Sequence, residues 1–178
     1  SPLNFCLSIL PNKKEVSILA KSVAKTNVMR ILEQKKIDFV SHTYDHSDGK
    51  IDGTAVAKKM GQPPQMVFKT LVTVGHSKNY YVFVIPVESE LHLKNAAKAV
   101  GEKSVEMIPV KEINRVTGYI RGGCSPIGMR KQYVTVLDES CLTLSSMIVS
   151  GGKIGFQIEL NPNDLISACG AQTAKLTQ

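Results

Sequence analysis

The chain has 178 residues, of which 43% are hydrophobic and 21% are charged. This balance is typical of a globular protein and excludes a wholly disordered chain, and the length suits one domain better than two. The net charge of +7 comes from lysines and arginines spread along the chain, so it fits either a polyanionic partner such as RNA or a solvated basic surface.

The cysteines are typical of a cytoplasmic protein. Four cysteines occur without a Cys-x-x-Cys pair or zinc-ligand spacing, and they are interpreted as reduced thiols: Cys6, Cys124, Cys141 and Cys169. No apolar run reaches the roughly 18 residues that span a bilayer. Because the first ten residues lack a basic leading segment, they do not resemble a signal peptide. We expect residues 1–24 to be an N-terminal extension or an expression remnant, and residues 25–178 to form a single domain.

The first half of the chain predicts two helices, a strand and a hairpin. Apolar residues at helical spacing predict a helix over 24–36, and the alternation that follows predicts a strand over 37–44. A short helix is expected from about 54 to 60. Two β-rich runs, 66–74 and 80–87, are separated by a short polar loop and predict a β-hairpin.

The second half predicts three helices and four strands. The helices are expected at about 91–100, 109–118 and 162–169, and the strands at 105–108, 133–137, 145–149 and 154–160. Short strands with helices at irregular intervals do not fit a βαβ repeat. The expected fold is α+β, with a mixed, closed or nearly closed, barrel-like sheet flanked by helices.

Lys69 is the most informative single residue, because it interrupts an otherwise apolar strand. Strand alternation places it on one face with Val67 and Leu71. An unpaired ammonium among apolar neighbours is costly. Such a lysine therefore lies on a sheet edge, has a partner, or lines a pocket that receives an anion, and the run itself leaves these alternatives open.

Two glycine-rich segments are candidate ligand loops. Glycines at 122, 123 and 128 allow close backbone approach, and successive amides can form a nest for an anion. A plain turn explains the same pattern, and no Gly-Lys-Ser/Thr follows that would make it a phosphate loop. The segment Ser150–Lys153 is a second candidate, and it also fits a simple hairpin turn.

Metal binding and a cysteine nucleophile are weak alternatives. His42 and His46 are four residues apart in an extended segment, which separates them by roughly 13 Å and is too far for a shared ion. Cys124 lies in the glycine loop, but no local cysteine-hydrolase signature surrounds it. From the residues alone, the chain is a basic α+β domain with a candidate pocket lysine.

Several separated motifs together make the chain recognisable. In order and spacing, it resembles the YbaK/EbsC family of editing proteins, and within it the Cys-tRNA(Pro) deacylases. The resemblance covers about residues 25–170. The motifs are His42–His46, Val67–Leu71, Gly118–Gly128, Ser150–Lys153 and Ile158–Glu159–Leu160.

The resemblance implies a mixed β-barrel flanked by helices, related to the editing insertion of bacterial prolyl-tRNA synthetase. It implies hydrolysis of the ester that joins a wrong amino acid to the 3′ end of tRNA, with no metal and no cofactor. The implied partners are aminoacyl-tRNA and prolyl-tRNA synthetase, in the cytoplasm.

The resemblance also implies roles for individual residues. Lys69 corresponds to the essential pocket lysine, and amides at Gly122 and Gly123 are expected to stabilise the developing oxyanion. Some relatives have Asp where this chain has Gln157, so a carboxylate role is absent there. The implied substrate-binding residues are Tyr44, Thr70, Cys124, Ser125, Pro126, Ser150, Gly151 and Gln157.

Cys-tRNA(Pro) is the expected substrate. In cysteine-specific relatives the substrate's own thiol attacks its ester, which fits a chain without an evident protein nucleophile. The alternatives are a deacylase for Ala-tRNA or another misacylated tRNA, and a non-catalytic RNA-binding module.

Overall fold

The computed structural model describes residues 24–178, so the expectation for residues 1–24 falls almost entirely outside it. Its helices are α1 (Asn27–Gln34), α2 (Gly53–Met60), α3 (Leu93–Val100), α4 (Ile113–Thr117) and α5 (Pro162–Cys169). Its strands are β1 (Val40–Thr43), β2 (Phe68–Gly75), β3 (Tyr80–Pro86), β4 (Val105–Met107), β5 (Val134–Asp138), β6 (Met147–Ser150), β7 (Phe156–Leu160) and β8 (Gln172–Ala174).

The strands form two sheets. The smaller has the order β1-β7-β6 and is antiparallel, and the larger has the order β4-β2-β3-β5-β8. In the larger sheet β3, β5 and β8 run parallel, whereas β2 is antiparallel to both of its neighbours. A single parallel bridge between Val67 and Ile148 connects the sheets. The mixed α+β expectation is confirmed, but the barrel is wrong, because neither sheet closes on itself.

One hydrophobic core joins the two sheets. Phe68 and Val84 of the larger sheet share a cluster with Ile158 of the smaller sheet and with Leu32 and Leu165 from helices α1 and α5. All five side chains are buried, and burial of this kind contributes roughly 25 cal/mol per Å² of apolar surface. The sheets are therefore held at a fixed angle by side-chain packing, with little backbone pairing between them.

Strand β2 has a half-open outer edge. Val87 N donates to Val67 O and Gly75 N donates to Asn79 O, so the odd-numbered residues of β2 bond towards β3. The backbone groups of Thr70 therefore point to the other side. Strand β4 and the residue after it cover that side only from Val72 onwards, where Ile108 N donates to Val72 O at 3.1 Å. The uncovered part of β2 contains Lys69, and it opens onto a cavity.

None of the helices in residues 24–178 is long and apolar enough to cross a membrane.

Candidate active site

A cavity of about 440 Å³ lies along the open edge of β2, between α2 and the loop that follows α4. This volume is in the range of small-molecule sites. Its walls are Val67–Leu71 and Val87 of the larger sheet, Ile51–Thr54 and Val56 around the start of α2, the loop residues Arg121, Gly122 and Cys124, and Ser150 and Gln157 of the smaller sheet.

Lys69 lies in the cavity wall, where its side chain is half-buried. Across residues 24–178 its ammonium has no ion pair and no side-chain hydrogen bond. Lys69 therefore lines a cavity at a stretch of β2 that β4 leaves uncovered, and the binding of an anion there stays a prediction. A half-buried ammonium without a partner can bind an anionic group of a ligand.

Two glycines that line the cavity, Gly53 and Gly122, have no room for a side chain, and Gly122 also has a left-handed backbone. Its φ is +86°, and a Cβ there would lie 2.7 Å from Ile51 Cδ1. Gly123 lies behind the cavity wall, where a Cβ would lie 3.1 Å from the backbone nitrogen of Ile154. The amide of Gly123 already donates to Ile120 O at 3.0 Å, so it is not available to a ligand. In the described chain the amides of the cavity residues Gly122 and Cys124 have no backbone acceptor.

The residues that follow Cys124 in the glycine-rich loop bond to groups outside the cavity lining. Ser125 is fully buried, and its Oγ accepts a bond from Ile127 N at 3.3 Å. The Cys169 thiol donates to Pro126 O at 3.5 Å. Gly151 faces Phe156, and Tyr44 is buried outside the cavity lining. These predicted substrate-binding residues therefore support the cavity walls without forming their surface.

Cys124 lies in the cavity wall as a protonated thiol. Burial raises its pKa to about 11, despite a bond with Thr117 that lowers it. A nucleophilic cysteine needs the opposite shift, with a thiolate stabilised near neutral pH. The environment of Cys124 therefore suits a packing role.

Cys124→Ala is expected to lower kcat/KM by no more than about fivefold, because the change removes roughly 1 kcal/mol of packing and no nucleophile. The measurement is single-turnover deacylation of Cys-tRNA(Pro). Cys141→Ala, which changes a buried cysteine outside the cavity lining, is the matched control. Loss of activity together with an acyl group trapped on Cys124 would contradict this assignment.

A polar wall faces the cavity from β2 and the smaller sheet. Ser150 Oγ accepts a bond from Gly152 N at 3.2 Å. In contrast, Thr70 Oγ1 and Gln157 Oε1 are buried without a partner in the described chain, as is Tyr44 Oη. A buried polar atom without a partner costs about 1–3 kcal/mol, so a group at a cavity wall is a candidate ligand contact.

The histidines lie outside the cavity lining. His42 Nε2 lies 2.8 Å from Glu159 Oε1, and Ser146 donates to the other oxygen of that carboxylate at 2.6 Å. These contacts, that of Ser146 first, lower the pKa of Glu159. His46 packs edge-on against Tyr44, with ring centroids 6.4 Å apart. In the part of the chain that the structure describes, no three side chains of His, Cys, Asp or Glu are grouped to hold a metal.

Two charged residues of the cavity were missed by sequence reasoning. Arg121 adds a second cation beside Lys69. Asp52 caps α2, with Oδ1 accepting bonds from Thr54 Oγ1 at 2.7 Å and Ala55 N at 3.0 Å, and these bonds lower its pKa. The cap was readable from Asp-Gly before a helix, but its position in the cavity depends on tertiary packing.

Comparison with known proteins identifies the class of protein to which this chain belongs. The model of the aminoacyl-tRNA editing domain matches residues 52–168. A solved structure of a provisional trans-editing enzyme for prolyl-tRNA synthetase matches with a TM-score of 0.72 at 23% identity, over 87% of this chain and 99% of that one. The solved structure of hypothetical protein APE2540 gives a TM-score of 0.78 at 22% identity, over 86% of this chain and 100% of that one. At these identities the structures show the fold alone.

A relative with a higher sequence identity places the chain in one group of this family. It is a protein of Enterococcus faecalis with the provisional name Cys-tRNA(Pro)/Cys-tRNA(Cys) deacylase EbsC, and it is 46% identical over 157 residues, which are 88% of this chain and 96% of the relative. The chain therefore belongs to the aminoacyl-tRNA editing domain family and, within it, to the YbaK/EbsC group. It is an aminoacyl-tRNA deacylase that edits misacylated tRNA.

Proposed function

We propose that this chain hydrolyses Cys-tRNA(Pro) in trans, with its active site in the cavity at the open edge of β2. The observation that supports this most strongly is that Lys69, whose ammonium has no partner within residues 24–178, lines the same cavity as Gly122. A cation beside a backbone amide suits a substrate with a phosphodiester next to an ester carbonyl. The 3′ end of a charged tRNA has both groups.

Lys69 and Gly122 take different parts in this proposal. Lys69 holds the phosphate or ribose of the terminal adenosine as a point charge, with Arg121 as a second cation at the cavity. The Gly122 amide donates to the ester oxygen as negative charge develops on it. Gly123 acts indirectly. Its amide donates to Ile120 O and closes a turn, and this turn fixes the direction of the Gly122 amide.

The nucleophile is the thiol of the bound cysteine. Cys124 is protonated near neutral pH because burial raises its pKa to about 11, and the described chain gives His42 a carboxylate partner away from the cavity lining. In the proposed step the substrate thiol loses its proton, and its sulfur bonds to the ester carbon. The carbon–oxygen ester bond then breaks, and the ribose oxygen takes up a proton. Water hydrolyses the resulting thiolactone to cysteine.

The proposal extends to the domain, location and partner. Residues 25–178 act as one domain, since the two sheets share one core. The chain works in the cytoplasm, where charged tRNA is present. Prolyl-tRNA synthetase is the proposed protein partner, because it releases the misacylated tRNA, and the name of the structurally similar trans-editing enzyme agrees with this.

Binding of tRNA by the isolated chain is expected to be weak and to fall steeply with salt, because a net charge of +7 is spread along the sequence. Each contacted phosphate contributes roughly 0.7 to the slope of log K against log salt on single strands, and about 0.9 on duplex. The measurement is a filter-binding series across salt concentration with tRNA(Pro) and an unrelated tRNA. Tight, salt-insensitive binding that is selective for tRNA(Pro) would contradict this expectation.

A deacylation panel tests the function directly. The purified chain is expected to release cysteine from Cys-tRNA(Pro) with multiple turnovers, faster than alanine from Ala-tRNA(Pro). Preference for Ala-tRNA(Pro) would instead identify a general deacylase for small side chains. Binding of every charged tRNA with turnover of none would identify a non-catalytic RNA-binding module.

A further inference from the structure

Two buried polar atoms without a partner belong to residues of the proposed active site. Four buried side-chain oxygens or nitrogens in residues 24–178 have no hydrogen-bond partner. Two of them, on Thr70 and Gln157, belong to residues that line the cavity, whereas the hydroxyl of Tyr44 lies outside the lining. The fourth, on Ser140, lies in the turn after β5. Buried groups are normally paired, so the two orphaned groups on cavity residues are candidates for partners that a ligand supplies.

Gln157 is the strongest of these groups. Only 6% of the residue is exposed, and its Oε1 is buried without a hydrogen-bond partner in the described chain. It pairs across the sheet with Ser150, so the two side chains share one face, and both line the cavity. The terminal torsion of glutamine is soft, and a half-turn exchanges oxygen and nitrogen. The amide can therefore present its oxygen to a ligand.

The charges around the cavity select the ligand group that meets this wall. Lys69 and Arg121 are cations, and the Oδ1 of the carboxylate Asp52 is already engaged in capping α2. Thr70 and Gln157 are neutral and offer acceptor oxygens. An aminoacyl ester has one cationic group, the α-ammonium, with three N–H donors. Lys69 and Arg121 repel that group, and its burial requires acceptors. The neutral wall supplies them.

We propose that the Gln157 carboxamide and the Thr70 hydroxyl bind the α-ammonium group of the aminoacyl ester, and so determine the amino-acid end of the substrate. This inference depends on the proposed deacylase function. With its phosphate side at Lys69 and its α-ammonium at Gln157, the substrate is held at two points. The ester carbonyl then has a fixed direction relative to Gly122.

The test is a cycle that removes the protein group and the substrate group separately. Cys-tRNA(Pro) is compared with 3-mercaptopropionyl-tRNA(Pro), which keeps the thiol and ester but lacks the α-amine. Each substrate is assayed with the wild-type chain and with Gln157→Met, which keeps the side-chain volume without the amide. For wild type, loss of the α-amine is expected to lower kcat/KM by roughly 10- to 100-fold. For Gln157→Met, loss of the α-amine from the substrate should lower kcat/KM by no more than about threefold.

Controls separate this contact from a general loss of structure. Ser140→Ala removes an orphaned hydroxyl outside the cavity lining, and it should keep the full wild-type response to the α-amine. Thr70→Val repeats the cycle on the second group and replaces the Gln157 arm if Gln157→Met fails to fold.

Each remaining outcome overturns the inference. If Gln157→Met lowers kcat/KM equally for both substrates, the amide does not contact the α-amine. The same conclusion follows if the wild-type chain hydrolyses both substrates equally well. A response to the α-amine that survives Gln157→Met and Thr70→Val but disappears in Asp52→Asn would move the contact to the capping carboxylate. A wild-type chain that hydrolyses neither substrate would reject the proposed function, and this inference with it.

Discussion

Lys69→Ala is expected to abolish measurable deacylation of Cys-tRNA(Pro) while the protein remains folded. Truncating one partner of a desolvated charge contact costs about 2–5 kcal/mol, which corresponds to roughly 30- to several-thousand-fold in kcat/KM. The fold should tolerate the change, because in the described chain Lys69 has no ion pair or side-chain hydrogen bond to lose. Single-turnover deacylation and thermal unfolding measure the two effects.

Lys98→Ala is the matched control for this loss. It removes the same charge from an exposed position on α3, outside the cavity lining. Activity within about twofold of wild type is expected, since one surface charge contributes little at ordinary ionic strength. A folded Lys69→Ala protein with full activity would show that the cavity at β2 is not the active site.

Local sequence chemistry was sufficient to predict the helices. Helix α5 begins at Pro162 after Asn161, whose side chain accepts a bond from Asn163 N, and it ends before Gly170 in the left-handed conformation. Helix α2 has the same design, with Asp52 as its cap and Gly61 as its end. Caps and terminal glycines act within a few residues, so their pattern is visible in the sequence.

Sheet closure could not be predicted in the same way. Strand β8 has three residues, too few for a recognisable alternation, and it pairs in parallel with β5 from far along the chain. The two sheets meet at one bridge between Val67 and Ile148. Pairing between distant strands depends on tertiary packing. The closed or nearly closed sheet was therefore inferred from the pattern of short strands and then from the family resemblance, whereas neither sheet of the structure closes on itself.

The candidate site was predictable in part. The interruption of an apolar strand by Lys69 was visible directly, because alternation assigns each side chain to a face. The position of Arg121 in the cavity was not, since it depends on how the loop after α4 folds back. The bond from Gly123 N to Ile120 O was also hidden, and it changes which glycine amide is available to the substrate.

Changing the side chain of the substrate is expected to alter the rate of hydrolysis as much as Lys69→Ala does. Cys-tRNA(Pro) should be hydrolysed more than roughly 100-fold faster than Ser-tRNA(Pro), although the two differ only in sulfur for oxygen. Pocket size does not explain such a difference, because serine is the smaller residue, and discrimination between near-isosteres in an apolar pocket reaches only about 100-fold. A thiol explains it, since a few per cent is ionised near neutral pH, and thiolates are strong nucleophiles.

The pH dependence follows from the same mechanism. The rate on Cys-tRNA(Pro) should rise with pH and level off as the substrate thiol becomes ionised, near the ordinary thiol pKa of about 8.5. Cys124 should not contribute to this profile below about pH 10, because burial raises its pKa to about 11. Cys124→Ala should therefore show the same profile as wild type.

Single-turnover deacylation of cysteinyl-, seryl- and alanyl-tRNA(Pro) across pH, with the wild-type chain and Lys69→Ala, tests the central claim most directly. The account predicts fast hydrolysis of the cysteinyl ester alone, a rate that increases with pH up to the ionisation of the substrate thiol, and loss of this activity in Lys69→Ala. Equal rates for the cysteinyl and seryl esters, or a preference for the alanyl ester, would contradict thiol participation and the assignment of Cys-tRNA(Pro) as the substrate.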